Sequence, residues 1–127
     1  TTLFRSGNES PETTEVTDDG EFLLCANCLN LITPGQAAMA VNGSHQHTFA
    51  NPSGMVFTIG CFRSAPGCAA VGISSAEFSW FSGFLWRVAI CAACQCHLGW
   101  RFSSTGSSFY GLILDNLVAA RSAGGSD

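Results

Sequence analysis

At 127 residues the chain has the length of one domain with a sizeable core, and 46% hydrophobic residues with ten Phe supply the material for it. Five Arg, no Lys and a net charge of −4 leave no basic stripe to follow a phosphate backbone, which argues against a nucleic-acid partner. No apolar run reaches transmembrane length and no basic start leads into an apolar h-region, so no membrane partner is expected and a cytoplasmic location is, though a start at Thr1 is compatible with a removed leader.

Residues 1–20 place Glu9, Glu12, Glu15, Asp18 and Asp19 among Ser, Thr and Gly, with little that is apolar after Phe4. That composition predicts a disordered acidic arm. A single folded domain is expected over 21–121, and 122–127 reads as a flexible tail. Strands are predicted at 22–25, 37–42, 46–50, 55–63, 68–73, 77–81, 85–91, 97–102 and 109–114, with a helical turn at 115–121. Thr33-Pro34-Gly35, Asn42-Gly43, Asn51-Pro52-Ser53-Gly54, Ala65-Pro66-Gly67, Gly83 and Thr105-Gly106 punctuate them as turns. Many short strands at this spacing predict an all-β domain of antiparallel sheets packed on each other.

Cys25/Cys28 and Cys91/Cys94 are two CxxC pairs separated by 62 residues. Each such pair folds into a knuckle that presents two thiolates to one tetrahedral Zn²⁺, and two of them tie distant parts of the chain together. A redox CxxC belongs beside a βαβ pattern, absent here, and disulfide scaffolds are smaller and less apolar. Four thiolates leave no open coordination position, so the predicted zinc holds the fold and does no chemistry. Cys61, Cys68 and Cys96 have apolar surroundings in sequence and read as buried, inert thiols.

Strand alternation places Trp86 with Val88 and Ile90, Trp100 with Leu98 and Phe102, and Phe78 with Trp80. Each Trp taken singly reads as core. Three indoles and a phenyl ring beside Gly83 and Gly99 can instead line a concave box for a small flat ring or a cation. His45 and His47 alternate, so they do not share a metal-binding face, and His97 reads as satisfying a backbone carbonyl. Glu77 and Asp115 form no catalytic pair, and the sequence offers no catalytic group.

The run from Phe78-Ser79-Trp80-Phe81-Ser82-Gly83-Phe84-Leu85-Trp86 to Cys91-Ala92-Ala93-Cys94-Gln95-Cys96-His97-Leu98-Gly99-Trp100-Arg101-Phe102 closely resembles the thalidomide-binding domain of the cereblon family. Cys25-Ala26-Asn27-Cys28, His45-Gln46-His47 and Asn51-Pro52-Ser53-Gly54-Met55 fit the same family in the same order. The resemblance covers roughly 22–117 and is greatest to small, single-domain bacterial members. It implies a β-tent of two antiparallel sheets pinned by zinc on Cys25, Cys28, Cys91 and Cys94. It also implies a ligand cage walled by Trp80, Trp86 and Trp100 and based on Phe102, with Asn51 and Pro52 at the rim. The backbone around Phe78, Ser79 and Trp80 would bond a cyclic imide of the glutarimide or thalidomide type, or the cyclised C-terminal Asn or Gln of a damaged protein. Vertebrate members carry His at the position of Phe78, so a side-chain hydrogen bond is missing while the backbone bonds can remain.

Full-length cereblon has a Lon-like domain and a segment that docks a ubiquitin ligase adaptor, for which this chain has no room, so the expectation is a stand-alone binding module without enzymatic activity. Two alternatives stand beside it. Cys94-Gln95-Cys96-His97-Leu98-Gly99 also fits a methionine sulfoxide reductase of type B, but the nucleophilic Cys of those enzymes is replaced by the stretch Phe109-Tyr110-Gly111. A structural interaction module without ligand would leave the three Trp as plain core.

Overall fold

The computed structural model describes residues 21–121, so the arm expected at 1–20 and the tail at 122–127 lie outside the described residues. The strands are β1 (Glu21–Cys25), β2 (Leu31–Pro34), β3 (Gln46–Ala50), β4 (Val56–Phe62), β5 (Cys68–Ser75), β6 (Leu85–Cys91), β7 (His97–Ser104), β8 (Ser107–Ile113) and β9 (Leu117–Arg121). They form two antiparallel sheets, one ordered β2-β1-β9 and the other β3-β4-β8-β7-β6-β5. The all-β expectation holds among the described residues, none of whose helices is long and apolar enough to cross a membrane.

Four local expectations do not hold. Residues 31–34, of which Thr33 and Pro34 read as part of a turn, form the edge strand β2, where Pro34 ends the strand. Residues 37–42 are not a strand. A 3₁₀ turn covers Gly35–Ala37, isolated bridges join Ala38 to Phe62 and Val41 to Ser44, and Asn42 and Gly43 take positive φ to close a tight turn. Residues 77–81 are a loop rather than a strand, because Phe78 has φ 58° and leaves the extended region. Residues 115–121 hold no helix beyond a 3₁₀ turn at Leu114–Asn116, and β9 then pairs with β1 from Glu21↔Arg121 to Cys25↔Leu117.

Two packed clusters fill the space beside the sheets. Cys25, Ile32, Ala37, Phe62, Ala65, Cys91, Leu98 and Leu112 form one, and Ile59, Cys61, Phe81, Phe102, Phe109 and Ile113 the other. β7 runs through both. Its pairing steps from Ile90↔His97 to Ala89↔Gly99, so Leu98 is the extra residue of a β-bulge; Leu98 enters the first cluster, and Phe102 the second. Gly99 has φ 154°, and a Cβ there would collide with the backbone carbonyl of Gly111 on β8. Gly99→Ala therefore forces two paired strands apart. We expect it to destabilise the domain by about 3 kcal/mol, a drop in Tm of roughly 10 °C or more in a thermal melt.

Gly67 makes the corresponding close approach between the sheets. Its N–H donates to Ile32 of β2 at 2.9 Å, its carbonyl accepts from Ala92 at 2.9 Å, and a Cβ would strike the Leu31 carbonyl. The end of β2 is thereby locked to the turn that follows β6, which is where the cysteines converge.

Candidate functional site

Cys25 ends β1 and Cys91 ends β6, and each is followed by a turn carrying the second cysteine of its pair. The two turns are built alike. Cys25 N–H donates to Asn30 and Leu29 N–H to Cys25, at 2.9 and 2.7 Å; Cys91 N–H donates to Cys96 and Gln95 N–H to Cys91, at 2.9 and 2.8 Å. Leu29 and Gln95 close them in the left-handed region, at φ 66° and 70°.

The Sγ atoms of Cys25, Cys28, Cys91 and Cys94 all lie within 4.8 Å of one another. Across the knuckles Cys25 and Cys94 are 3.7 Å apart and Cys28 and Cys91 3.6 Å. A tetrahedral ion with metal–sulfur bonds of about 2.3 Å would separate its ligands by about 3.8 Å, so this cluster fits a four-thiolate metal ion. Backbone and amide donors favour the thiolate form at two of the four. The Asn27 side chain, helped by the Cys96 N–H, holds the Cys94 thiol down at about 6. Burial works against Cys91, yet the N–H groups of Cys94 and Ala93 bring it below its ordinary value, Ala93 N lying 3.4 Å from Sγ. Despite a backbone N–H from Asn30, desolvation within the cluster and the neighbouring thiols push the solvent-reaching Cys28 up to about 12, a balance that a bound divalent cation would reverse.

At the other end of β6 and β7 lies a concave pocket of about 290 Å³, lined by Asn51, Pro52, Phe78, Trp80, Trp86, Trp100 and Phe102. Its walls come from three places. Trp86 on β6 pairs with Phe102 on β7, Trp100 sits in the middle of β7, and Trp80 comes from the loop between β5 and β6. That loop is anchored by Phe81, 1% exposed, which meets His47, Phe49, Phe102 and Phe109 edge-on at 4.8–5.4 Å. Trp80 stacks on Phe49 at 4.9 Å and stands at 71° to Trp100 at 4.7 Å; Trp100 also meets Phe57 and His97. Trp86 has no ring partner among the described residues; it packs against the Phe81–Phe102 cluster and its N–H donates to the Glu77 carbonyl at 2.7 Å.

The polar atoms of the pocket divide cleanly. Both flanking indole N–H groups are occupied, Trp80 Nε1 donating to Ala50 at 3.3 Å as Trp86 does to Glu77. Asn51 Oδ1 accepts from Ser53 N, Ser53 Oγ and Met55 N at 2.9–3.1 Å, which fixes the amide orientation, holds the β3–β4 turn and leaves Nδ2 without a partner among the described residues. Ser79 is not among the lining residues, and its hydroxyl donates to Phe81 at 3.1 Å. The carbonyl of Phe78 and the N–H of Trp80 have no hydrogen-bond partner among the described residues. Phe78 itself is 70% exposed and held at φ 58°, a strained position for a bulky residue, and it turns the chain in the segment that carries Trp80.

The chain is similar to curated cereblons: that of Xenopus tropicalis at 39% identity over 56 residues, 44% of this chain, and that of Danio rerio at 36% over 56 residues, also 44%. The cereblon of Drosophila erecta matches at 32% over 95 residues, 68% of this chain. The chain belongs to the cereblon domain family. It corresponds to a small part of these relatives, the matches spanning 12%, 13% and 15% of their lengths. No protein-family model matches it.

The remaining side chains of this cereblon-type domain are also placed. His45 and His47 bond backbone carbonyls of the segment before β3, Met39 at 3.1 Å and Val41 and Ser44 at 3.0 Å, and His97 Nε2 lies 3.0 Å from the Gly99 carbonyl. Cys61 is fully buried in the cluster with Phe81 and Phe102, and burial pushes its thiol up to about 11. Cys96 departs from its sequence reading as a buried thiol. It is partly exposed and reaches to 3.4 Å from Cys25 Sγ. Asn30, not singled out in the sequence, donates to Cys91 Sγ at 3.6 Å. Aligning Cys25-Ala26-Asn27-Cys28-Leu29-Asn30 with Cys91-Ala92-Ala93-Cys94-Gln95-Cys96 would have marked both, since each is the sixth residue of its knuckle.

Proposed function

We propose that this domain is a binding module that holds neutral cyclic imides in the aromatic pocket, with Zn²⁺ on Cys25, Cys28, Cys91 and Cys94 as a structural ion. The observation that carries the reading is an aromatic pocket whose lining includes Phe78 and Trp80, with the Phe78 carbonyl and the Trp80 N–H unpartnered among the described residues. A glutarimide presents C=O, N–H and C=O along one edge and methylenes along the rest. Its N–H would donate to Phe78, one C=O would accept from Trp80, and the other lies within the chemistry of Asn51 Nδ2. The methylenes would bury against Trp80, Trp86, Trp100 and Phe102, at roughly 25 cal/mol per Å² removed from water. The cyclised C-terminal Asn or Gln of a damaged protein carries the same edge and is the proposed macromolecular ligand.

Zinc supplies no reaction here, because four thiolates complete its coordination and its part is to join β1 to the β6–β7 turn. The sulfoxide reductase alternative needs a thiol at the substrate, and no cysteine lines the pocket.

N-methylation of the imide tests the reading. It removes the only donor, leaving a buried carbonyl unpaired at about 1–3 kcal/mol, and drives a methyl group against the indoles. Calorimetric titration is expected to show affinity at least tenfold weaker than for the parent glutarimide, since about 1.4 kcal/mol is a factor of ten. Equal binding of the two compounds would remove the Phe78–Trp80 edge from the recognition scheme.

A further inference from the structure

The two knuckles superpose in their hydrogen bonding, and in each the sixth residue reaches across to a sulfur of the other: Asn30 Nδ2 to Cys91 at 3.6 Å, and Cys96 Sγ to Cys25 at 3.4 Å. The equivalence ends with the chemistry. An amide N–H can only donate to a metal-bound thiolate, as an orienting outer-shell group does. A cysteine in the same place can donate and can also bind the metal. Cys96 Sγ is nearer to Cys25 than Cys94 Sγ is, at 3.4 against 3.7 Å. Of the four clustered cysteines, Cys25 and Cys91 are buried whereas Cys28 and Cys94 reach solvent.

We infer that Cys96 is a reserve ligand for the metal, an S–H donor to Cys25 while Cys94 is coordinated and the fourth thiolate when Cys94 is lost. The inference rests on the reading of the cysteine cluster as a metal site. The exchange is a ligand substitution without oxidation or reduction: the metal–sulfur bond to Cys94 is absent, the Cys96 sulfur forms one in its place, and its proton goes to solvent. The reserve is one-sided. Cys96 stands on the Cys25–Cys94 side of the cluster, whereas Cys28 pairs with Cys91 on the other, where the sixth residue is Asn30 and no spare sulfur is offered.

Cobalt reports both geometry and thiolate number, because its d–d bands mark tetrahedral coordination and its sulfur-to-cobalt charge-transfer intensity grows with each thiolate. The full chain would be loaded with Co²⁺ as wild type, Cys94→Ala, Cys28→Ala and Cys94→Ala/Cys96→Ser. Cys94→Ala is expected to retain four-thiolate intensity and to bind Co²⁺ within about tenfold of wild type, while the double variant and Cys28→Ala lose about a hundredfold or more. Three-thiolate intensity in Cys94→Ala, or failure of that variant to fold with metal, overturns the inference. Four-thiolate binding by Cys28→Ala overturns the one-sided placement. A wild-type chain that takes up no tetrahedral cobalt would instead end the metal reading itself.

Discussion

Cys28→Ser is expected to leave the chain without stoichiometric metal and largely unfolded or insoluble, even though Cys28 is exposed. An exposed side chain ordinarily tolerates substitution within about 0.5 kcal/mol, so the size of the effect separates a ligand from a surface thiol. Structural zinc contributes apparent binding free energies of about 10–16 kcal/mol, as large as the whole stability of a domain at about 5–15 kcal/mol. What a metal held there would join accounts for the size of the effect. The knuckles tie the end of β1 to the turn after β6, and the cluster around Cys25 and Cys91 is small, with Ile32, Phe62, Leu98 and Leu112 as its largest members. Elemental analysis together with far-ultraviolet circular dichroism checks the prediction. A folded, metal-free Cys28→Ser protein would show that packing alone holds the sheets.

Trp86→Ala is expected to abolish imide binding while the protein stays folded and metal-loaded. Replacing Trp in a packed core costs about 3–5 kcal/mol, but Trp86 is only partly buried, packed against the side of the Phe81–Phe102 cluster. It makes no ring pair among the described residues, and its one anchoring bond goes to the carbonyl of exposed Glu77, which water can satisfy afterwards. The loss should therefore fall on the pocket, where one complete wall disappears. Trp100→Ala is the informative contrast, because Trp100 meets Phe57, Trp80 and His97 and its removal should lower the melting temperature as well. Calorimetric titration and thermal melts of the two variants distinguish wall from core. Unchanged imide affinity in Trp86→Ala, or a collapse of stability equal to that of Trp100→Ala, would contradict the assignment.

The strands 46–50 and 85–91 were legible to the residue because alternation and flanking turn residues agreed there. The convergence of the two CxxC pairs was legible for a different reason, since ligand spacing carries long-range information that periodicity lacks. What escaped was set by partners distant in sequence. β9, with Ala119 and Ala120, has helical local preference and becomes a strand only because β1 lies beside it. β2 hid behind Pro34 and Gly35, whose turn preference is compatible with the end of an edge strand. The alternation of Phe78 and Trp80 imitated a strand, but the left-handed Phe78 turns the chain there, and no local rule predicts a strained phenylalanine. The hydrogen bonds that occupy the Trp80 and Trp86 indoles were equally hidden, as their acceptors are main-chain carbonyls of Ala50 and Glu77.

The three-stranded sheet is assembled from the two ends of the described chain, β1 and β2 from the first residues and β9 from the last, with the whole six-stranded sheet between them in sequence. Closing so long a loop carries a conformational entropy that grows with the logarithm of its length, and contacts of such sequence separation form slowly. The second knuckle needs no such closure, since β6, β7 and β8 pair with neighbours adjacent in sequence. The small sheet is then the part of the fold whose closure depends most on residues distant in sequence, and an ion held by the two knuckles would fasten it like a clasp.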